Sequence, residues 1–451
     1  MTRKDTKRNQ TDSRQAEIFQ LTRTGTRMVT ASFDDPTLSS CGGLAMLREA
    51  ERNCGIIREI ASVIQERRKP WLVQHTKEEM LLQRVGQIAC GHEDADDCDT
   101  LRDDKMVKLF AGRDPEAAPL ASQPTMSRLE NSLSKRELWD IGEAFVNHFI
   151  SSYQKAPKTI VLDCDDTNAN TYGGQQLTLF NGYYGEYCYM PLLIFEGLSG
   201  KLILPVLRPG RGNKSVNIAG LLVRLVTRLR EVWKNTEIVV RGDSHFCSHE
   251  FMDWATAQRG VRFITGLAAN RALDKKVEQW VNYDKEVYRS TKRPSRRYHE
   301  FMYKAGTWRN AQRVIVKIEV GELGENVRYI ATNFDGPRKE VYETGYCGRG
   351  EMELMIKELK TYLHADRMSC NSFCANQFRL YLHAAAYVLL HAMQHVLLAD
   401  TDFERCSMLT LITKLMLTAV RVEVKKCSVR LHFQSGQLFR EQLEWALRTA
   451  G

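Results

Sequence analysis

Acidic side chains at the ends of apolar runs are the first residues in this 451-residue chain that could do chemistry. Asp163, Asp165 and Asp166 cluster where the β-branched run 159–162 ends. Carboxylates at the end of a buried strand are costly unless they are paired or bind a cation. The cluster therefore predicts ion pairs or a cation site.

Asp243 follows a second apolar run, and such an aspartate often only caps the next helix. Asp243, His245, Cys247 and His249 also alternate, so on an extended strand they would point to one side as zinc ligands. We expect the chain to turn from strand to helix directly after Asp243, which would scatter these side chains. The pattern favours a cap or a carboxylate site over zinc.

A third group lies on a predicted late helix. Tyr346, Arg349, Glu353 and Lys360 are separated by 3, 4 and 7 residues. At about 100° per residue they fall within an arc of roughly 60°, so they share one face. The alternative is a merely solvated charged face. A separate apolar face, formed by Met352, Ile356, Leu359 and Leu363, would pack on a sheet.

The elements that must position these residues follow from periodicity. We predict an order β-β-β-α-β-α-β, with acids after the first and fourth strands. The strands are expected at 159–162, 187–195, 202–207, 237–240 and 261–267, and the helices at 215–233 and 249–258. With the glutamate on a late helix, this order resembles the ribonuclease H-like nuclease topology, an α/β fold with a mixed sheet flanked by helices.

The chain divides into four predicted regions by composition and pattern. Residues 1–150 read as a mostly helical N-terminal domain, whose first 32 residues form a basic arm or a solvated tail. The core comprises 151–268 and 345–400, split by a β-rich insertion at 269–344, and 401–451 form a C-terminal region.

Composition excludes some classes of protein. Lys and Arg outnumber Asp and Glu by 64 to 55, a net +9 that fits a polyanion partner and also many enzymes without one. The 12 cysteines contain no Cys-x-x-Cys pair, which argues against a zinc ribbon. With no secretory signal at the N-terminus, we expect a cytoplasmic protein with reduced thiols. The uncharged stretch 380–399 contains three histidines and favours a buried helix over a membrane span.

The third group also carries a family resemblance. The spacing Tyr346-x2-Arg349-x3-Glu353-x6-Lys360 resembles the Tyr-(2)-Arg-(3)-Glu-(6)-Lys signature of bacterial insertion-sequence DDE transposases. The segments 241–246, 181–184 and 121–131 also look like that group, and the resemblance extends from about Gly42 to Phe433.

The resemblance implies a catalytic, metal-binding triad of Asp165, Asp243 and Glu353. The family's Asp-x-Thr motif favours Asp165 over Asp163 and Asp166 as the first member. Three such carboxylates would bind two Mg²⁺ ions, with Mn²⁺ able to substitute, for in-line phosphoryl displacement. The implied activity is cutting of DNA at the element's ends, followed by joining of the 3′-hydroxyl ends to target DNA.

The resemblance also implies partners and DNA contacts. The partners would be terminal inverted repeats and target DNA, in a homodimer or larger synaptic complex at the bacterial nucleoid, with the N-terminal domain serving DNA ends and assembly. Trp308 could stack on an unpaired base or simply pack on the sheet. The alternatives are a metal-dependent nuclease that does not join, or a catalytically silent DNA-binding protein. The expected DNA contacts are Tyr346, Arg349, Lys360, Arg293, Arg296, Arg297 and Trp308.

Overall fold

The structure is a computed structural model that describes residues 17–210 and 217–450. The first half of the predicted basic arm and the start of the helix predicted at 215 lie outside the described residues. The described chain begins with an antiparallel hairpin of strands β1 (Phe19–Thr24) and β2 (Arg27–Ala31), whose residues are almost all exposed.

A helical region follows the hairpin, as the sequence predicts. Gly55 adopts φ 71°, a left-handed conformation open to glycine, and thereby separates the first two helices. The last helix begins with a capping box of Ser134 and Glu137. The elements are β3 (Leu38–Ser39), α1 (Leu44–Cys54), α2 (Ile56–Val63), α3 (Lys77–Ala89), α4 (Asp97–Leu101), α5 (Lys105–Phe110), α6 (Gln123–Glu130) and α7 (Lys135–Ser151).

The next part of the chain builds a large mixed sheet and a small one. Its elements are β4 (Thr159–Asp166), β5 (Ala169–Asn170), β6 (Leu179–Asn181), β7 (Glu186–Tyr189), β8 (Leu192–Glu196), β9 (Leu202–Val206), α8 (Ile218–Val232), β10 (Glu237–Gly242), α9 (His249–Ala257), β11 (Val261–Leu267), α10 (Arg271–Thr291), β12 (Ser295–Tyr303), β13 (Gln312–Gly321) and β14 (Gly324–Thr332).

The large sheet has eight strands in the order β12-β13-β14-β11-β10-β4-β8-β9. Strand β10 runs parallel to both β4 and β11, and the other neighbouring pairs are antiparallel. Helices cover both faces of this sheet, because buried residues of α8, α9 and α10 join one core and the late helix Phe373–Ala392 joins the other. The predicted fold class, a mixed sheet flanked by helices, is confirmed and is consistent with the ribonuclease H-like fold.

Two sequence predictions differ from the structure here. The strand expected at 187–195 is two strands in different sheets, because β7 lies in the small sheet β5-β7-β6 and Pro191, which has no N–H to donate, precedes β8. The region 269–344 supplies three strands, which extend the large sheet from β11. It also begins with the long helix α10, which the sequence reading missed.

The last part of the chain returns to helices and a hairpin. The helix around 341–362 has wide turns at Val341–Tyr346 and Glu358–Tyr362 and a tight turn at Cys347–Arg349, so it departs from ideal α-helical spacing. The elements are α11 (Arg338–Glu340), α12 (Gly350–Lys357), α13 (Phe373–Ala392), α14 (Met408–Leu411), β15 (Val420–Lys425), β16 (Ser428–Phe433) and α15 (Arg440–Ala450).

Helix α13 is the buried centre of the second core. Its residues pack with those of α1 and α3, so the N-terminal helices share a hydrophobic core with the late helices and the boundary at 150 does not separate two cores. His383 and His391 hydrogen-bond the carbonyls of Leu363 and Ser199, and burial lowers the pKa of both imidazoles. In the described ranges no helix has the length and apolar composition needed to cross a membrane.

Candidate active site

The ends of two adjacent parallel strands bring Asp165 and Asp243 to one edge of the large sheet. In the register of β4 and β10, Asp163 lies opposite Arg241 and the next residues, 164 and 242, also pair. Asp165 and Asp243 each come one residue later, at the carboxyl ends of the strands. Asp243 also accepts a hydrogen bond from the backbone N–H of His245 at 2.8 Å, so it caps the turn that follows β10.

The carboxylate of Asp163 is not free, because it is paired with Arg241. Its two oxygens each lie 2.6 Å from the Arg241 guanidinium, at Nε and Nη2. Arg241 uses Nη1 to donate to the carbonyl of Gly345 at 2.9 Å. Because Asp163 is fully buried and its charge is matched by a fork of two hydrogen bonds, it acts as a strand-to-strand clamp.

Asp166 is held by an arginine and a histidine that were not among the predicted site residues. Its carboxylate is paired with the fully buried Arg208, and its Oδ1 lies 3.7 Å from Nδ1 of His245. Burial opposes ionisation of Asp166, but His245 and Arg208 outweigh it and lower its pKa. The same imidazole lies 3.5 Å from Asp243, and its pKa is raised chiefly by the bond to Asp166. His245 therefore links two acids.

Asp165 is paired with a residue that lies far along the chain. Its Oδ2 lies 2.7 Å from Nη1 of Arg349, which comes from the late helical segment. Burial raises the pKa of Asp165 to about 6, although Arg349 opposes the rise, and the Asp243 carboxylate adds to it. Asp165 is thus a buried carboxylate with a raised pKa next to a second acid. Such combinations are common at functional sites.

The late helix reaches the same strand end at a second point. The Nζ of Lys360 donates to Oδ1 of Asn168 at 2.8 Å and lies 3.4 Å from the hydroxyl of Thr167. Tyr346 packs against Tyr342 with ring centroids 5.6 Å apart, and burial raises the pKa of its hydroxyl. Arg349 and Lys360 thus both contact the chain at the end of β4.

Glu353 is exposed and makes no hydrogen bond or ion pair with the described residues. Nowhere in 17–210 and 217–450 do three or more His, Cys, Asp or Glu side chains lie placed to hold a metal ion. Asp165 is engaged by Arg349, so the three predicted ligands are not grouped in this conformation. The donor types fit magnesium, because carboxylate oxygens are its preferred protein ligands.

The zinc alternative does not match the local backbone. A single turn at Ser244–Phe246 follows Asp243, and α9 begins at His249. His245 faces Asp166 and Asp243, whereas Sγ of Cys247 lies 3.9 Å from the sulfur of Met252. The turn therefore separates side chains that an extended strand would have aligned.

The basic residues of the insertion differ in their availability. Arg296 pairs with Glu319 at 2.7 Å, and Arg297 pairs with Asp284 at 2.9 Å. Arg293 is exposed and forms no ion pair within the described ranges. Of these three arginines, Arg293 is therefore the one that can bind a phosphate without first losing a carboxylate partner among the described residues.

Trp308 is buried, so its predicted contact with DNA is wrong. Only 8% of its surface is exposed, and its ring packs edge-to-face on Tyr303 at 5.6 Å within the core beneath α10. An indole in that position has no free face for a base. The structure therefore supports the sheet-packing alternative.

A family model and a solved structure are similar to this chain. A family model described as "Transposase DDE domain group 1" matches residues 21–449. Among solved structures, "Cryo-EM structure of piggyBac transposase synaptic complex with hairpin DNA (SNHP)" is similar with a TM-score of 0.42 and 11% identity, over 83% of this chain and 79% of that chain. No curated protein matches.

Proposed function

This chain belongs to the transposase DDE domain group 1 family, and we propose that it cuts DNA at the ends of its insertion sequence and joins the 3′-hydroxyl ends to target DNA. The observation that carries the proposal is the position of Asp165 and Asp243 at adjacent strand ends, with Arg349 and Lys360 from one helix contacting the first of those ends. Water is the nucleophile of the first step, and the freed 3′-hydroxyl is that of the second.

Asp165, Asp243 and Glu353 would together hold two Mg²⁺ ions, or Mn²⁺, which supply charge stabilisation for the attacking and leaving oxygens of an in-line displacement. In the structure, Arg349 forms an ion pair with Asp165. An arginine can bind two phosphate oxygens and a lysine one, so Arg349 and Lys360 would hold the DNA backbone. The Tyr346 hydroxyl would hydrogen-bond the same backbone.

The partners of this reaction are terminal inverted repeats and target DNA. Two ends must be joined in one complex while a protomer offers one active site, so the working assembly is at least a dimer. Of the basic residues in the insertion, Arg293 would contact phosphate directly. Arg296 and Arg297 would have to exchange Glu319 and Asp284 for phosphate.

The test is cleavage and strand transfer of the element's own terminal DNA with Mg²⁺ or Mn²⁺. Glu353→Gln removes the charge and keeps the shape, and we expect it to abolish both products while end binding is retained. Glu351→Gln is the matched control, because Glu351 is also exposed on α12 but lies two residues away on another face. Cleavage without joining by the wild type would identify a nuclease, and binding without metal-dependent cleavage would identify a DNA-binding protein.

A further inference from the structure

The small sheet next to the catalytic strand presents aromatic side chains to solvent. Its first strand, β5, begins three residues after Asp166. Tyr172 and Tyr183 are 94% and 89% exposed, and Phe180 and Tyr187 are also exposed. Exposed aromatic residues grouped on one small element mark a binding surface more often than scattered ones do.

The turn that carries Tyr183 is held in place by its own hydrogen bonds. Asn181 accepts from the N–H of Tyr183 at 3.0 Å and donates from Nδ2 to the carbonyl of Gly210 at 2.7 Å. Gly185 closes the turn with φ 69° and an N–H bond to the carbonyl of Asn181 at 2.8 Å. Tyr183 is therefore presented on a turn that is tied to Gly210, four residues after the end of β9.

The turn that carries Tyr183 and Tyr184 is linked to the acids of β4 through Asn181, which bonds Gly210, two residues after the arginine that pairs with Asp166. The two ring centroids are 5.0 Å apart and the planes meet at 89°, an edge-to-face pair. Tyr184 is half-buried, and after burial the Asp166 carboxylate is the largest of the charges that raise the pKa of its hydroxyl. Tyr183 is open to solvent, whereas Tyr184 is half-buried behind it.

We propose that Tyr183, backed by Tyr184, stacks on an unpaired base of the DNA strand whose backbone is held by Arg349 and Lys360. The inference rests on the proposed function and adds a single-strand subsite to it. Bases in a duplex cannot present a face to a side chain, but an unpaired base beside a cleavage point can. The cations Lys360 and Arg349 at the end of β4 provide the backbone contacts that accompany stacking in single-strand sites.

The probe for this subsite is an oligothymidylate of about 20 nucleotides, long enough for one such groove. Its binding to the full chain is measured by fluorescence anisotropy in buffer with chelator, so that no cleavage intervenes. We expect Tyr183→Ala to weaken binding by about 5- to 150-fold, the cost of one stacked base. Tyr183→Phe keeps the ring and should stay within about twofold of the wild type. Trp445→Ala, at an exposed aromatic residue of α15, is the matched control and should bind normally.

Three outcomes overturn the inference. The first is unchanged oligothymidylate affinity in Tyr183→Ala, and the second is no oligothymidylate binding by the wild type. The third is a change in the self-association of Tyr183→Ala on sedimentation with DNA binding intact, which would assign the surface to a second copy of the chain. Failure of the proposed function looks different, because the wild type would then not cut terminal DNA whatever the effect of Tyr183→Ala on oligothymidylate.

Discussion

The guanidinium of Arg349 lies 2.7 Å from the carboxylate of Asp165, although 184 residues separate them in the chain. This contact connects a residue of the predicted helix face to the end of strand β4. It also partly offsets the cost of ionising a carboxylate that burial and Asp243 together make unfavourable. The ionised form of Asp165 therefore costs free energy in the folded protein.

Asp165→Asn should stabilise the metal-free protein while abolishing cleavage. Burial raises the pKa of Asp165 from 3.8 to about 6, so its ionised form at pH 7.5 costs the fold free energy. Asparagine resembles the neutral acid and keeps an oxygen for Arg349. We expect an increase of about 1 to 3 kcal/mol in the free energy of unfolding, measured by urea denaturation with chelator.

The pH dependence checks the sign of that effect. A group whose pKa is raised by folding stabilises the fold fully below its unfolded value, near 3.8, and this contribution is lost as the pH rises through about 6. The stability difference between Asp165→Asn and the wild type should therefore vanish below about pH 4. Glu351→Gln should show no difference at either pH. A destabilised Asp165→Asn at pH 7.5 would contradict this account of the site.

Burial also raises the pKa of Asp163, but Asp163→Asn should have the opposite effect on stability, because Asp163 makes two hydrogen bonds to an arginine that is more deeply buried than Arg349. The substitution leaves the Arg241 guanidinium buried without its countercharge, which typically costs about 3 to 5 kcal/mol. Denaturant unfolding measures the loss. Replacing both partners by apolar residues, as in Asp163→Leu with Arg241→Met, should recover part of the stability. Stability unchanged by Asp163→Asn would mean that the two residues are not a clamp.

Glu130→Gln should destabilise the junction between the N-terminal helices and α13. Glu130 lies 3.8 Å from Arg84 of α3 and 3.5 Å from Arg379 of α13, and all three are buried. Without its charge two buried arginines face each other, and we expect a loss of about 3 to 5 kcal/mol. Arg136→Ala breaks an exposed pair with Asp140 and should cost under about 1 kcal/mol in the same thermal or urea unfolding experiment.

Trp308→Ala should act through folding. Removing a buried indole that packs on Tyr303 typically costs about 3 to 5 kcal/mol. Trp308→Phe refills part of the space and should cost less. If the ring only packs, then at low temperature, where both variants are folded, DNA end binding and strand opening at the cleavage site should match the wild type. A defect in strand opening by stably folded Trp308→Ala would restore the base-stacking interpretation.

Several elements could be predicted because they depend on neighbours in the chain. The β-branched run that becomes β4 and the apolar run that becomes β10 identify strands, and the acids at their ends follow directly. The spacing of Arg349 and Lys360 on one helical segment predicts a shared face, and both residues do contact the end of β4. Helix α10 was predictable too, since Leu273, Val277 and Val281 recur at helical spacing.

Other features depend on pairings between distant segments. Asp163, Asp165 and Asp166 are adjacent in sequence, yet Arg241, Arg349 and Arg208 partner them one each. No local pattern distinguishes these three acids, because each partner comes from a different element of the fold. The burial of Trp308 has the same origin, since strand pairing and the helix above it decide which residues face the core.

The sequence by itself determined the strands that end in Asp165 and Asp243 and the residue types available for phosphoryl-transfer chemistry, because hydrophobic periodicity and side-chain composition are local properties. The tertiary structure alone decided which acid is clamped, which is paired with the late helix, and that the insertion extends the central sheet. Those outcomes are set by strand register and by ion pairs across the fold, whose energies depend on burial and distance in three dimensions.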